Sequence, residues 1–520
     1  MGLADQVGFV AYLVVLALIG WAAGRREERA EDYFLAGRRL PWWLIGASLL
    51  ASNVSTEHFV GMAGAGARAD VGLAIASYEW MAAVTLVVVA RWFLPRFLAG
   101  RISTMPEFLE RRFSPAARTW LALYMLVAYV FVALATVLYS GALAVEELFG
   151  LPLPLGILLL AAVGGGYTVW GGLRAVVWTD FLQAATLLAG GAFAAWLALD
   201  AVGGVAALRA ATPERFHVVK PLSDPELPWF AVFFGGLWIA NLFYWGCNQF
   251  ITQRVLAARD LRQARRGVVF AAGLKLLVPF LIVVPGIAAA VLYEGRLESP
   301  DRAFPTLLGD LLPDGARGPM LAALLGAVLS SLDSMLNSAA TIFSLDVWRR
   351  FRPDTPDHAL MRVGRLSTFG ILLVAVLWAP ALGRFPGIFR YVQEFWGLVT
   401  PGVAVVFLAG LFTRRASAGG AVAALALTLP VTLGLKLGLA AAAIEVAFLD
   451  QMFLAALVLA VVLFALSPRR AAAPAGSESA SATVGAASGP PCAAPERDPL
   501  FDVACAAVVA AVAALYWTFR

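Results

Sequence analysis

The sequence predicts an all-α membrane protein with about fourteen transmembrane helices. Of its 520 residues, 61% are hydrophobic and 14% are charged, and the mean hydropathy is +0.80. Soluble domains are nearer about 45–50% apolar and about 25% charged. The composition therefore excludes a water-soluble enzyme and a disordered chain. Some fourteen helices of about 20 apolar residues each would use roughly the apolar supply of this chain.

Successive apolar runs, each of about the length of a membrane span, give the helices in order. They occupy 7–24, 42–64, 71–98, 119–147, 153–171, 177–201, 229–247, 267–293, 316–346, 362–382, 388–412, 418–438, 447–466 and 499–518. Arginine is concentrated in one alternate set of the intervening loops. The positive-inside rule makes these loops cytoplasmic, so we expect a cell-membrane protein with both termini extracytoplasmic. The excess of positive residues that gives the net charge of +5 lies in these loops, so the charge does not indicate nucleic-acid binding.

Two of the runs, 48–65 and 237–250, contain Asn and small or polar residues at mid-membrane depth. They begin matching positions of two five-helix blocks. Interrupted helices at corresponding positions indicate a transporter built from inverted repeats. The predicted organisation is an N-terminal extra helix and cytoplasmic loop at 1–41, repeats at 42–201 and 202–412, two extra helices at 413–466, a Pro/Ser/Ala-rich cytoplasmic linker at 467–498 and a last transmembrane helix at 499–520.

Ionisable residues inside the spans indicate a polar cavity, since each costs about 2.5–3.5 kcal/mol at a helix centre. They are Glu57, His58, Glu79, Lys275 and Asp333, with Asp180 near a helix end. Glu57 and His58 would form a hydrogen-bonding rim for a polar solute, and the carboxylate of Glu79, beside aromatic rings, would accept hydrogen bonds from a hydroxylated one. The alternatives are pairing with polar groups of neighbouring helices and, for Glu79, a solvated position in an interfacial aromatic belt.

Lys275 is one of only three lysines, with Lys220 and Lys436, and it lies in the middle of an apolar run. It therefore needs a ligand or a carboxylate. The alternative to solute binding is a structural ion pair with Glu57 or Glu79. Asn241 and Tyr244, in the second interrupted run, offer hydrogen bonds and a flat ring to a solute. The alternative for Tyr244 is ordinary aromatic packing.

Ser330 and Ser331 follow Ala327 by three and four positions and so share one helix face with it. Two hydroxyls and a carbonyl there, opposite carbonyls freed where the first interrupted helix breaks, are hard oxygen ligands of the kind that suits Na⁺. The alternative is a serine pair that only packs or bonds back to its own helix.

Long stretches of the chain resemble the sodium/solute symporter family, and its sodium/sugar cotransporters in particular. They include ASNVSTEHFVGMAG (51–64), GGLRAVVWTDFLQ (171–183), ANLFYWGCNQFITQRVLAA (240–258), SSLDSMLNSAATIFSLDVW (330–348) and YVQEFWGLVTPG (391–402). The resemblance implies a LeuT-type fold of two inverted five-helix repeats with flanking helices. It also implies alternating access, with inward Na⁺ driving uptake of a hexose such as glucose or galactose.

The resemblance also implies roles for individual residues. The implied sodium ligands are carbonyls of Ala51, Val54 and Ala327 and hydroxyls of Ser330 and Ser331. The implied sugar contacts are Asn53, His58, Glu79, Asn241, Lys275 and Gln393. Tyr244 falls on the inner gate, and Met62, Tyr78 and Phe389 fall on the outer gate. Two polar sugar contacts of bacterial members are replaced here by Ala82 and Ala133, which affects the identity of the sugar.

A second sodium site is a further hypothesis, built from Asp180, Ser330, Asp333 and Ser334. Its alternative is that Asp180 pairs with an arginine such as Arg254 and Asp333 bonds locally. The alternative functions are a sodium symporter for a polyol such as inositol or another small organic solute and, in a different class, a membrane enzyme or sensor. We expect no enzymatic activity, because no nucleophile–base pair or metal cluster is recognisable. The expected partners are lipid, sugar and sodium, without an organic cofactor or nucleic acid.

Overall fold

The computed structural model describes residues 2–24, 29–55, 57–149, 151–384, 388–468 and 498–520. These residues are helical apart from turns, loops and two isolated bridges. Most of the predicted linker at 467–498 lies outside the described residues. The prediction of an all-helical protein is confirmed.

The helices that form the candidate membrane spans, together with the segments of the two broken helices, are labelled in chain order. They are α1 (Leu3–Gly24), α2 (Trp42–Asn53), α3 (Ala63–Ala67), α4 (Gly72–Ala99), α5 (Pro115–Leu143), α6 (Leu153–Val202), α7 (Gly236–Gly246), α8 (Gln249–Leu256), α9 (Leu261–Leu292), α10 (Arg317–Phe351), α11 (Asp357–Arg384), α12 (Ile388–Phe412), α13 (Ala418–Ala426), α14 (Thr428–Ala441), α15 (Phe448–Ala465) and α16 (Pro499–Thr518). Shorter helices connect them at Ala30–Leu35, Met105–Arg112, Val205–Ala211, Trp229–Phe233 and Ala303–Leu311.

Eleven of the described helices are long and apolar enough to cross a membrane, or twelve if the bent pair α13 and α14 forms one span. Helix α6 counts once in this number although it has 50 residues. At 1.5 Å per residue it would be about 75 Å long, whereas the hydrocarbon core of a bilayer is about 30 Å thick. Gly172, with φ 49° and ψ −155°, breaks it near the middle. The break agrees with the separate runs predicted at 153–171 and 177–201.

Both segments predicted to be interrupted are broken in the structure. Helix α2 ends at Asn53, where Val54 is extended with φ −79° and ψ 112°, and a π-helical turn at Glu57–Met62 leads into α3. Helix α7 ends at Gly246, and α8 begins after Asn248, which is extended with φ −81° and ψ 126°. Each break frees carbonyl and N–H groups at membrane depth, which is tolerated only where the protein or a cavity satisfies them.

The first broken helix packs along α9 on both sides of its break. On the α2 side, a Cβ at Gly267 would lie 2.8 Å from the carbonyl oxygen of Trp42. On the α3 side, a Cβ at Gly286 would lie 2.0 Å from the carbonyl oxygen of Ala63. No side chain fits at such a distance, so glycine is required at Gly286. Helix α9 thereby holds Lys275 beside the break at Val54.

Candidate functional site

A cavity of about 220 Å³ lies where the two broken helices face α4, α5, α12 and α15. Asn53 and His58 reach it from the first broken helix, Asn241 and Tyr244 from the second, and Glu79 from α4. The sequence therefore predicted five side chains that the fold brings to one cavity. The volume is smaller than the roughly 300–1,000 Å³ of drug-sized sites, so the cavity suits a small solute.

A chain of polar contacts links these residues along one wall. His58 Nε2 lies 3.3 Å from Glu79 Oε1, and the other oxygen of Glu79 pairs with the ammonium of Lys275. Lys275 also donates to Asn53 Oδ1, whose amide nitrogen donates to the hydroxyl of Tyr244 across 3.0 Å. The bond between Asn53 and Tyr244 thus joins the two broken helices directly, and the other contacts connect the first of them to α4 and α9.

Lys275 lies behind the cavity surface rather than on it. Its side chain is 1% exposed, its ammonium contacts Glu79 and Asn53, and it also lies 4.8 Å from the ring centre of Trp245. It is absent from the described residues that line the cavity. The expected direct contact with a solute is therefore not seen, and the structure has the ion pair with Glu79 that was its alternative. Lysine balances the carboxylate charge and orients Glu79 and Asn53 toward the cavity.

Asn241 carries the clearest unused hydrogen-bonding capacity. It is 7% exposed and lines the cavity, and its side-chain nitrogen has no acceptor among the described residues. A buried amide without a partner costs about 1–3 kcal/mol. A solute hydroxyl in the cavity would remove that cost.

Two predicted gate residues, Met62 and Tyr78, line the same cavity. Ala82 and Ala133 line it as well, which agrees with two polar contacts of the sugar cotransporters being replaced here. The side chains of Glu57, Phe389 and Gln393 lie outside the described part of the structure.

Of the predicted sodium ligands, Ser331 contacts the first broken helix where α10 passes the end of α2. Ser331 donates to the carbonyl oxygen of Ser52 across 3.4 Å. The N–H of Ser55, just beyond the end of α2, is directed at His58 Nδ1, at 3.4 Å. The predicted ligands Ala51, Val54, Ala327, Ser330 and Ser331 are all buried. Buried carbonyl and hydroxyl oxygens are hard ligands of the kind that a cation such as Na⁺ prefers.

Ser330 points to a different place from Ser331. Its hydroxyl donates to Asp180, whose other oxygen lies 3.1 Å from Arg254 Nη2. Arg254 is fully buried and also donates to Ser48, across 2.5 Å, and to Ser334. The structure thus has the arginine pair that was the alternative to a second sodium site.

Asp333, the remaining member of the hypothetical second site, accepts a hydrogen bond from the hydroxyl of Tyr167. Its other oxygen has no hydrogen-bond partner in the described ranges, although the residue is fully buried.

Comparison with known proteins gives the family of this arrangement. The model of the sodium:solute symporter family matches residues 33–428. The chain is also 43% identical over 490 residues to the sodium/glucose cotransporter of Vibrio parahaemolyticus, covering 88% of this chain and 89% of that protein. The chain belongs to the sodium:solute symporter family. It is therefore a membrane-located, sodium-coupled solute symporter, and the transport, symport and membrane predictions are confirmed.

Two further relatives show how far the likeness extends. The symporter is 37% identical over 476 residues to the sodium/myo-inositol cotransporter 2 of Mus musculus, covering 84% of this chain and 69% of that protein. Its structure aligns with that of a Na⁺-coupled sialic acid symporter at a TM-score of 0.81 and 23% identity, over 90% of this chain and 98% of that one. That structural likeness shows a shared fold.

Sequence reasoning missed part of the symporter's cavity wall. Val392, Trp396 and Thr400 line it from α12, and Phe448 and Met452 line it from α15. The first three recur every four residues, which is the spacing of one helical face. That periodicity, together with Thr400 inside an apolar run, was the available signal. Nothing comparable marks α15, because Phe448 and Met452 are ordinary apolar residues of a membrane helix.

Proposed function

We propose that the protein couples inward sodium movement to the uptake of a hexose such as glucose or galactose. The observation that carries this proposal is the wall formed by Asn53, His58, Glu79 and Asn241 in a cavity of about 220 Å³. It offers both acceptors and donors, as a neutral polyhydroxylated solute requires. The positive charge of Lys275 is already paired with Glu79, so it is not available to an acidic solute.

A polyol such as inositol is the second candidate. Two observations favour it: the myo-inositol relative matches over most of this chain, and Ala82 and Ala133 leave space where sugar cotransporters have polar contacts. We propose Glu57 and Gln393 as further solute contacts. Phe389, Met62 and Tyr78 would form the outer gate, and Tyr244 the inner gate, where its hydrogen bond to Asn53 supports a closing role.

The test is uptake of labelled glucose into proteoliposomes under an inward Na⁺ gradient. We expect uptake that K⁺ cannot support, with galactose as an effective competitor. Inositol, an amino acid and a carboxylate are added separately as competitors. If inositol competes more strongly than galactose, the result favours the polyol alternative. Undiminished uptake without Na⁺ would contradict sodium coupling.

The proposed sodium site consists of the carbonyls of Ala51, Val54 and Ala327 and the hydroxyls of Ser330 and Ser331. The hydrogen bond from Ser331 to Ser52, which connects α10 to the helix break, supports it. A second sodium held by Asp180, Ser330, Asp333 and Ser334 remains a hypothesis. Arg254 competes with it, since its guanidinium already contacts Asp180 and Ser334.

We propose fourteen transmembrane segments arranged as inverted repeats at 42–201 and 202–412, with the N-terminal helix at 1–41, the extra helices at 413–466, the linker at 467–498 and the last helix at 499–520 outside them. The eleven long helices become fourteen spans when α6 is counted as two at Gly172, the broken pair α2 and α3 as one, and the bent pair α13 and α14 as one, which supports that number. The arginine-rich loops support extracytoplasmic termini. Labelling of single cysteines at Gly2 and Arg520 by a membrane-impermeant maleimide tests the orientation.

A further inference from the structure

Helix α16, which follows the predicted linker, docks on the protein by one face. Its buried residues recur at spacings of three and four: Phe501, Cys505, Val508, Val512 and Tyr516. The opposite face is open, with Val503 66% exposed. A single apolar stripe of this kind is expected of a helix packed against a protein surface on one side and lipid on the other. The family match ends at residue 428, so it does not include α16.

The stripe ends in an aromatic cluster around Trp80. Trp80 is fully buried, and its ring centre lies 5.6 Å from that of Tyr516 and 6.2 Å from that of Phe519. Phe280 lies 6.1 Å from Trp80 and 6.4 Å from Phe519. Rings at such separations attract one another beyond the effect of their buried area. The end of α16 therefore contacts α4 and α9 at the same point.

That point adjoins the ion pair of the cavity wall along both helices. Trp80 follows Glu79 on α4, and Phe280 follows Lys275 by five residues on α9. The carboxylate and the ammonium belong to different helices, so their distance depends on how these helices are held together. The aromatic cluster joins the two helices through residues of α16.

The N-terminal end of α16 forms ion pairs with the same two helices. Asp498 accepts two hydrogen bonds of 2.8 Å from Arg266 of α9, and Asp502 pairs with Arg91 of α4. Both ends of the last helix thus bridge α4 and α9. Helix α16 therefore lies along the groove between α4 and α9.

We propose that α16 is a clamp that sets the geometry of the Glu79–Lys275 pair, with Tyr516 and Phe519 as positioning residues for solute affinity. This inference rests on the proposed role of that pair in the solute site. Loosening the clamp changes the spacing of the carboxylate and ammonium, so it weakens solute binding. The proposed sodium site lies at the break of the first helix and on α10. The clamp reaches it only through the Glu79–Lys275 pair and Asn53, so sodium affinity should change less than solute affinity.

The experiment measures sodium-driven uptake by Tyr516→Leu and Phe519→Leu in proteoliposomes, against both solute and Na⁺ concentration. We expect the KM for the solute to rise about 2- to 10-fold, the range that loss of one aromatic pair gives, and the half-saturating Na⁺ concentration to change by a smaller factor. Tyr516→Phe keeps the ring and should restore the KM. Val503→Ala, on the exposed face of the same helix, is the matched control and should behave like the unmodified protein.

An unchanged KM in Phe519→Leu would overturn the inference, and so would equal changes in solute and Na⁺ affinity. If Tyr516→Leu does not insert into the membrane, Trp80→Phe and Phe519→Leu are measured singly and combined. The clamp requires these two rings to act together, so strictly additive effects on the KM would also contradict it. The solute used is the best substrate of the unmodified protein. Failure of the unmodified protein to transport any sugar or polyol counts against the proposed function. If the unmodified protein transports its solute and the variants have the same KM, only the clamp is contradicted.

Discussion

The guanidinium of Arg254 lies 3.1 Å from the carboxylate of Asp180, and both side chains are fully buried. Two charges in such a position are maintained only by one another and by hydrogen bonds, which Ser48, Ser330 and Ser334 supply here. Arg254 is itself a cation among the oxygens of the hypothetical second sodium site. This relationship determines how many sodium ions we expect to accompany each solute.

We predict one positive charge moved per solute in the unmodified protein, because Arg254 neutralises Asp180 without a second Na⁺. At about 100 mV one charge supplies about 2.3 kcal/mol, or about 50-fold accumulation from the voltage alone. A reversal-potential measurement in proteoliposomes gives the ratio, and Asp333→Ala should leave it at one. A ratio of two that falls to one in Asp333→Ala would instead establish the second sodium.

Lys275→Ala should destabilise the protein, because it leaves the buried carboxylate of Glu79 without its cation. Breaking a buried pair in this way costs about 3–5 kcal/mol. The midpoint of thermal unfolding in detergent measures the loss. Lys275→Ala combined with Glu79→Gln removes both charges and should recover much of the stability, while solute affinity stays low. If the double variant binds the solute with the affinity of the unmodified protein, the pair has only a structural role.

Ser331→Ala should raise the Na⁺ concentration that gives half-maximal uptake. Hydrogen bonds to charged groups contribute about 1.5–3 kcal/mol, and we expect a similar contribution from a hydroxyl that contacts Na⁺. The half-maximal Na⁺ concentration should therefore rise about tenfold or more. The KM for the solute is measured at saturating Na⁺ and should change little. Ser338→Ala is the control, since that hydroxyl is on the same helix but donates to Gln253 across 2.8 Å. Equal shifts in the two variants would argue against the site.

The attachment of α16 should depend on pH through Asp498. Hydrogen bonds from Arg266 hold the pKa of the Asp498 carboxyl below its usual range. A lowered pKa means that the stabilisation is present above the unfolded value of about 3.9 and is lost as the pH falls through the folded value. Because Arg266 is 30% exposed, the pair should contribute about 1 kcal/mol or less.

Asp498→Asn isolates this charge, since asparagine still caps the start of α16. We expect it to lower the unfolding temperature slightly between about pH 5 and 8, and the difference from the unmodified protein to shrink below about pH 4. Asp502→Asn, whose carboxylate is half exposed, serves as the comparison. A difference that grows on acidification would contradict the assigned sign.

Much of the candidate site could be predicted because membrane burial makes polar residues conspicuous. Asn53, His58, Glu79, Asn241 and Tyr244 stand out in apolar runs, and all five reach the same cavity. Phe448 and Met452 could not be found in this way, since an apolar residue facing a cavity looks the same in the sequence as one facing lipid. Lys275 was recognised as important, but whether it faced the solute or Glu79 required the positions of α4 and α9.

The sequence by itself determined the membrane environment, the succession of helices, the two interruptions and the turn of α6 near Gly172, because these follow from local hydropathy and backbone preference. Only the tertiary structure decided which charges meet: Lys275 with Glu79, and Arg254 with Asp180. It also decided that α16 bridges α4 and α9. The physical reason is that a buried charge requires a partner but does not specify which one, and several carboxylates were available to each cation until packing brought one of them within reach.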